Sequence, residues 1–230
     1  MDHSLFDALL KQHVAVGLVD YDAFARAPTF PRYLSALDAA PVDELPVSER
    51  LAFWINAYNV LAIDVVVAHY PVASIRDAGS LLRPVWKRPA GRIGGRTRSL
   101  DEIEHGILRP LGDPRVHAAL VCASTSCPSL RREPYEAARI DAQLDDALRR
   151  FLADRRKGAA FDPAAGRLLL SRIFAWFEED FASRGGVLAF VLPRLPEEIR
   201  AAVAAGPGAV RVEHFDYDWR LNDLVRTEGP

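Results

Sequence analysis

Two cysteines, the only ones in this 230-residue chain, lie five positions apart at Cys122 and Cys127. An apolar run, Val116–Cys122, leads into a hydroxyl-rich loop, and Pro128 follows the second cysteine. Because proline is favoured at the first position of a helix, the pattern predicts a buried strand ending at Cys122 and a helix with Cys127 as its N-cap. Free N–H groups and the dipole of a helix start stabilise a thiolate. Cys127 is therefore the predicted nucleophile.

A cysteine nucleophile needs a base, and His105 stands out among the six histidines because it follows Glu104. The helical periodicity of residues 99–109 places Glu104 beside a buried face, with His105 on its flank. A carboxylate there needs a partner or has a raised pKa. We predict that His105 is the general base and that Glu104 or Asn56 orients it. This requires the fold to carry His105 to a sulfur. Alternatively, Glu104 and His105 only brace nearby backbone, and His117 is interpreted as structural.

The cysteines also allow other interpretations. They are too few for a disulfide framework or a cysteine-built zinc site, and each would serve as a small buried hydrophobe. Glu102 and His105 form an i, i+3 pair, but a di-iron site needs a second such pair, so neither a metal nor a cofactor is predicted. Four intervening residues permit closure of a Cys122–Cys127 disulfide, which leaves a redox role as an alternative.

Polar side chains within a long apolar helix are candidates for substrate binding. Asn56 and Asn59 lie three residues apart on one face, where buried amides must be hydrogen-bonded. They pin the helix to a loop, orient a histidine, or hold the backbone of a substrate. Ser126 and the N–H groups after Cys127 are predicted to stabilise an oxyanion. The predicted substrate-binding residues are Trp54, Tyr58, Asn59, Ser124, Ser126 and Arg131.

Helices dominate the predicted secondary structure. The most apolar segment, residues 51–70, is long enough to span a membrane, but its asparagines, aspartate and histidine favour a core helix between Pro46 and Pro71. A capping box at Ser99–Glu102 starts a further helix, which Pro110 stops. The other predicted elements are helices within 4–15, 32–39, 133–152 and 172–204, hairpins at 84–98 and 158–171, and a strand at 210–212.

These patterns predict one α+β domain over residues 1–230, rich in helix, with a central buried helix and a small, mainly antiparallel sheet. The net charge of −2 gives no signal for nucleic acid or an anionic membrane. The first 30 residues lack the pattern of a signal peptide, so a cytoplasmic location is expected. The expected partner is a peptide or small-molecule substrate, without nucleic acid or a membrane span, and with room for a protein partner.

Several motifs occur in a specific order over roughly residues 10–225. They are FWINAYN at 53–59, HYP at 69–71, SIR at 74–76, SLDEIEHGILR at 99–109, DPRVHAALVCASTSCPSLR at 113–131, SRIFAWFEEDF at 171–181, and YDW followed by LN within 217–222. Together they resemble the bacterial and plant family catalogued as domain of unknown function 547, whose plant members add an N-terminal coiled coil.

The resemblance assigns no reaction. In the family, the positions of Cys122, Glu104 and His105 recur, whereas that of Cys127 can be serine, which makes Cys122 the alternative nucleophile. A relation to papain-like or transglutaminase-like thiol enzymes would imply a permuted order, because His105 precedes Cys127. The sequence thus predicts a thiol-dependent hydrolase or acyltransferase acting on an amide or thioester through a Cys-His centre. The alternatives are a noncatalytic peptide- or small-molecule-binding scaffold and the Cys122/Cys127 redox switch.

Overall fold

Helices make up most of the computed structural model, which describes residues 1–80, 82–206 and 210–227. Small sheets and one buried central helix complete it, so the predicted helix-rich α+β class is confirmed. The α-helices are α1 (Ser4–His13), α2 (Tyr21–Arg26), α3 (Thr29–Asp38), α4 (Val47–Val67), α5 (Leu100–Ile103), α6 (Ile140–Ala153), α7 (Arg172–Trp176), α8 (Gly186–Val191), α9 (Glu197–Ala205) and α10 (Leu224–Thr227). The strands are β1 (Val14–Ala15), β2 (Leu18–Val19), β3 (Pro89–Ile93), β4 (Arg96–Ser99), β5 (Ala159–Asp162), β6 (Arg167–Leu170) and β7 (Arg211–His214).

The central helix is α4. It begins directly after Pro46, whose fixed φ suits a helix start, and it is buried almost continuously from Ala52 to Val66. Its length and composition would allow it to cross a membrane, but 78% of its apolar window is buried inside the protein. A helix that is apolar all round belongs in a core, and the prediction of a central core helix is confirmed.

The strands form three small sheets. β3 and β4 pair antiparallel around Gly94 and Gly95, whose positive φ angles of 58° and 74° suit the tight turn of a hairpin. β5 and β6 form a second antiparallel hairpin, and β7 adds to β6 in parallel. β1 and β2 pair in a third sheet. Both predicted hairpins and the predicted last strand are therefore present.

Buried hydrophobic side chains form two clusters. The first surrounds α4 and includes side chains from α1, α2, α3 and the β3–β4 hairpin. The second lies among α6, β5, β6 and the helical segments after Ser171. The segment from Val116 to Leu120 contributes to both, because Val116, Ala119 and Leu120 pack in the first cluster and Ala118 packs in the second. The residues that follow this segment are the two cysteines and their loop.

Two predicted elements around the cysteines are wrong. The apolar run does not form a strand: Pro114–Ala118 is a 3₁₀ helix capped by Asp113, and no strand follows it before Cys122. No helix begins at Pro128 either, since the chain is irregular until a 3₁₀ turn at 137–139 and α6. Cys127 is consequently not an N-cap, and the helix-dipole argument for its thiolate does not apply.

The capping box at Ser99 is confirmed, but the helix it starts is not regular. Ser99 accepts a hydrogen bond from the Glu102 N–H, and the Glu102 carboxylate accepts one from the Ser99 N–H. After α5 the chain continues as a π-helical turn, Glu104–Leu108, and then as a 3₁₀ turn, Arg109–Leu111. A π-turn inserts an extra residue and changes where the following side chains point, and such turns are frequent at functional sites.

Candidate thiol pocket

A cavity of about 180 Å³ lies beside the two cysteines and is called here the thiol pocket. Its walls come from α4, from the helical segment around α5, from the segment leading to the cysteines, and from residues near the C-terminus. The lining residues are Tyr58, Trp86, Asp101, Glu104, His105, His117, Leu120, Cys122, Cys127, Ile173, Trp176, Phe177, Tyr217 and Trp219. Four predicted catalytic residues, Glu104, His105, Cys122 and Cys127, thus lie around one pocket.

The sulfurs of Cys122 and Cys127 are joined as a disulfide, with their Cα atoms 6.1 Å apart. The structure thus has the closed pair that the redox alternative requires, and a thiol nucleophile would need this disulfide to be reduced first. Cys127 is only 2% exposed, whereas Cys122 is partly exposed where it meets the pocket. Cys122 is the more exposed of the two cysteines, which favours it over Cys127 as a nucleophile after reduction.

The loop of residues 122–127, called the thiol loop, is held by the segment 217–222 near the C-terminus. Thr125 N–H donates to the Arg220 carbonyl (2.8 Å), and Asn222 N–H donates to the Ala123 carbonyl (3.1 Å). Ala123 has φ +59°, the left-handed region that only glycine enters without strain. Such a backbone persists only where neighbouring contacts fix it, and strained residues concentrate at functional sites.

The side chain of Asn59 holds the start of the thiol loop. Its amide nitrogen donates to the Ala119 carbonyl (3.0 Å), and its oxygen accepts from the Val121 N–H (2.9 Å). Asn59 is 3% exposed. Its amide therefore supplies the donor and acceptor that a neighbouring strand would otherwise provide, which explains how an apolar run stays buried without joining a sheet.

Hydroxyl groups surround the Cys122 sulfur. The Tyr217 hydroxyl lies 3.1 Å from Sγ of Cys122, and the Ser124 hydroxyl donates to the Tyr217 oxygen at 3.0 Å. Burial raises the pKa of Tyr217 above its usual value, so its hydroxyl keeps its proton. Tyr217 can therefore donate to a thiolate at Cys122, and a donor to the charged form stabilises that form.

Glu104 and Asp101 are carboxyl groups that line the thiol pocket. Glu104 is hydrogen-bonded to the central helix. Tyr58 on α4 donates to its Oε2 (3.1 Å). Burial raises the pKa of Glu104 to about 7, even though the hydrogen bond from Tyr58 and the charge of Arg109 act in the opposite direction. A carboxyl group with this pKa exchanges protons readily at neutral pH, which is the property of a general acid or base.

His105 is oriented differently from the prediction. Its side chain is 42% exposed, its Nδ1 accepts a hydrogen bond from Arg109 (2.9 Å), and its Nε2 lies 3.8 Å from the Asp101 carboxylate. Among the residues that the structure describes, no hydrogen bond joins His105 to Glu104 or to either sulfur. Glu104 and His105, both in the π-turn, thus line the same pocket without being hydrogen-bonded to each other.

His117, which the sequence pattern indicated to be structural, is a second histidine that lines the pocket. His117 Nε2 lies 2.7 Å from Asp180 Oδ2, and Arg109 binds the same carboxylate through two hydrogen bonds of 2.7 Å. The His117 ring stacks on Phe177, with centroids 4.0 Å apart. Its Nδ1 is buried without a hydrogen-bond partner in the described part of the chain. Burial lowers the pKa of His117 to about 4, although Asp180 opposes the shift, so the imidazole is neutral at pH 7.

The structure places other predicted site residues away from the pocket. Asn56 uses its amide on both backbone groups of Tyr135, at 2.8 Å each, so it does not orient a histidine. Trp54 is 5% exposed and lies near Arg98. Arg131 forms ion pairs with Glu133 and Asp146 beside a different groove.

Ser126 and Ser124 hold the thiol loop instead of lining the pocket. The Ser126 hydroxyl accepts from the Asp218 N–H (2.9 Å), and Ser124 contacts Tyr217 and Cys122. Of the six predicted substrate-binding residues, only Tyr58 lines the pocket.

Aromatic residues that the sequence analysis did not assign form much of the pocket wall. They are Trp86, Trp176, Phe177, Tyr217 and Trp219. Tyr217 and Trp219 follow one another closely among acidic residues, and His117 lies inside an apolar run. No local sequence pattern indicated that these side chains line one pocket.

No cluster of three or more histidine, cysteine, aspartate or glutamate side chains suited to a metal ion occurs within residues 1–80, 82–206 and 210–227. The absence of a metal and a cofactor remains a prediction.

Comparison with known proteins gives one match. Residues 42–152 match a family model described as "Protein of unknown function, DUF547". This range contains α4, Glu104, His117 and both cysteines. Searches of curated proteins and of solved structures found no match.

Proposed function

We propose that the thiol pocket, whose cysteines and Glu104 lie in the part of the chain that matches the model of a family of unknown function, catalyses acyl transfer from an amide or thioester through Cys122. The observation that carries the proposal is that one cavity is lined by a partly exposed cysteine, Cys122, and by a carboxyl group whose pKa is about 7. A nucleophile and a matched proton carrier are the two groups that acyl transfer requires. A relation to papain-like or transglutaminase-like enzymes and a cytoplasmic location both stay predictions.

The proposed reaction begins with reduction of the Cys122–Cys127 disulfide. A dithiol reductant supplies two electrons and two protons and becomes a disulfide itself. Glu104, ionised, then takes the proton of the Cys122 thiol, and Sγ bonds to the carbonyl carbon of the substrate. The bond from that carbon to the amine or thiol leaving group breaks, and Glu104 returns the proton to the leaving group.

The second half of the reaction releases the acyl group. Glu104 takes a proton from water as the water oxygen bonds to the acyl carbon, and the Sγ–carbon bond breaks. The proton returns from Glu104 to Cys122. A transferase would use an amine or alcohol in place of water. Tyr217 donates to the Cys122 sulfur whenever it is a thiolate, which stabilises the thiolate before its attack and again as it leaves the acyl carbon.

His117 and Asp180 have a positioning role in this proposal. The His117 imidazole is neutral, buried and fixed by Asp180 and Phe177, so it forms a rigid wall of the pocket. Its low pKa makes it a weaker proton acceptor for a thiol than Glu104, because a base works best with a pKa near the working pH. His105 and Asn56, the predicted base and one of its predicted orienters, have no catalytic step here.

The experiment uses p-nitrophenyl acetate as an acyl donor with Cys122→Ser and Cys127→Ser. Each variant has one thiol and no disulfide, which makes them matched controls. We expect Cys127→Ser to release one equivalent of nitrophenolate in a burst and to gain an acetyl group at Cys122, located by peptide mass spectrometry. We expect Cys122→Ser to show no burst. A burst in Cys122→Ser, or none in Cys127→Ser, would contradict the proposal.

The redox role is a second candidate, favoured by the disulfide that joins Cys122 and Cys127. In that reaction a substrate dithiol reduces the pair, forming a substrate disulfide, and an oxidant closes the pair again. Both single-cysteine variants would abolish this activity. Acyl transfer needs only Cys122, so the Cys127→Ser protein would lose the redox activity but would still be acylated. The same variants therefore separate the two candidates.

A further inference from the structure

The wall of the thiol pocket is aromatic on several sides. Trp219 lies at the centre of the ring cluster, with centroids 4.5 Å from Tyr217, 5.7 Å from Trp176 and 6.1 Å from Trp86. Trp176 is 48% exposed, so part of this cluster faces the solvent side of the pocket. Burying apolar surface is favourable, and apolar patches open to solvent often mark sites for a ligand or partner.

The polar groups that line the pocket favour positive charge. Asp101 and Glu104 are carboxylic acids, and no lysine or arginine is among the described lining residues. The two histidines do not oppose this charge. His105 accepts a hydrogen bond from Arg109 at Nδ1, and burial lowers the pKa of His117 to about 4.

We propose that the thiol pocket binds an organic ammonium group of the substrate between the tryptophan rings and the carboxylates of Asp101 and Glu104. This inference rests on the proposed function for the identity of the ligand as a substrate. The faces of indole and phenol rings carry negative charge and attract cations, and quaternary ammonium groups bind in such aromatic cages. Two rings of the pocket wall already lie near guanidinium groups. Cζ of Arg76 is 5.2 Å from the centre of the Trp219 ring, and Cζ of Arg109 is 5.2 Å from the centre of the Phe177 ring.

The volume limits what enters. At about 180 Å³ the pocket is smaller than the roughly 300–1,000 Å³ of a cavity that holds a whole drug-sized molecule. It therefore holds a charged head group and the reacting carbonyl. The rest of the substrate extends along the neighbouring groove, which shares Trp86 and Trp219 with the pocket.

Cation binding is expected to depend on pH through Glu104. A bound cation favours the ionised carboxylate, so affinity rises as the pH increases through about 7. Hydrogen bonds with Arg109 lower the pKa of Asp180 and raise the pKa of Arg109, so these two groups stay charged throughout this range. The charged and titratable groups that face Glu104 or line the pocket with it are Tyr58, Asp101, His105, Arg109, His117, Asp180 and Tyr217.

The test compares choline with 3,3-dimethyl-1-butanol, its neutral isostere, by titrating the tryptophan fluorescence of the full chain at pH 8. We expect choline to bind at least about fivefold more tightly. Glu104→Gln and Trp219→Leu are expected to remove this preference, whereas Trp54→Phe, which changes a buried tryptophan outside the pocket, is expected to keep it.

Equal binding of the two probes, or no saturable binding of choline, would overturn the inference. The outcome is independent of thiol chemistry. If Cys122 is acylated and choline does not bind, only the ammonium assignment fails. If choline binds and Cys122 is never acylated, the proposed catalysis fails and the pocket is a noncatalytic recognition site for a cation.

Discussion

At the scale of single residues, the proposed catalysis and the proposed cation binding both depend on Glu104. Its place beside a buried helix face, with either a partner or a raised pKa, could be predicted from periodicity, and the structure has both the Tyr58 hydrogen bond and a pKa of about 7. The pairing of His105 with a sulfur could not be predicted, because a π-turn changes the direction of side chains after Ile103. His117 looked structural in an apolar run, and its contact with Asp180 spans 63 positions.

Replacing Glu104 by Gln should stabilise the fold at alkaline pH. The pKa of Glu104 is higher in the folded protein than in the unfolded chain, so the folded state binds the proton more tightly. Stability from this group is therefore full below about pH 4.5 and is lost as the pH rises towards 7. Urea unfolding should show Glu104→Gln more stable than the wild type by about 1–3 kcal/mol at pH 8, with the difference vanishing near pH 4.

Asp101→Asn is the companion variant for that measurement, because burial raises the pKa of Glu104 more than the charge of Asp101 does. In an Asp101→Asn background, Glu104→Gln should therefore still stabilise the fold at pH 8. A Glu104→Gln protein that is less stable than the wild type at pH 8 would show that the ionised carboxylate stabilises the fold, contrary to the raised pKa.

At the scale of elements, α4 and the hairpins were predictable because proline, glycine and the periodicity of apolar residues act locally. The backbone conformation of the segment 116–131 could not be predicted. An apolar run is equally compatible with a strand or with irregular buried backbone, and only Asn59, from another element, decides between them by bonding to Ala119 and Val121. The sequence showed that the amide would be buried and bonded, but not to which backbone.

The two asparagines of α4 provide a matched pair of variants. Asn59→Ala and Asn56→Ala each leave a buried carbonyl and a buried N–H unpaired, so each should lower the free energy of unfolding by about 2–4 kcal/mol. In a Cys127→Ser background, Asn59→Ala should also slow acetylation of Cys122 about tenfold, because the backbone leading to Cys122 shifts. Asn56→Ala should not, since it holds Tyr135. Equal acetylation rates in the two variants would contradict the positioning role of Asn59.

At the scale of the whole molecule, the thiol pocket lies where the two hydrophobic clusters meet. Tyr58, Leu120 and Cys127 belong to the first cluster, whereas Ile173, Phe177 and Tyr217 belong to or pack against the second. The class of fold could be predicted from the number and type of elements. The meeting of α4, the thiol loop and the aromatic residues near the C-terminus could not, because contacts between distant segments leave no periodic trace in the sequence.

The most direct test of the central claim is the pH dependence of the acetylation rate of Cys122. It is measured with p-nitrophenyl acetate in the Cys127→Ser protein, alone and combined with Glu104→Gln or His117→Gln. We predict that the acetylation rate rises with pH, with a midpoint near pH 7, the pKa of Glu104. We expect this rise to be lost only when Glu104 is replaced. A midpoint that persists in Glu104→Gln and disappears in His117→Gln would assign the proton transfer to His117 and contradict the account.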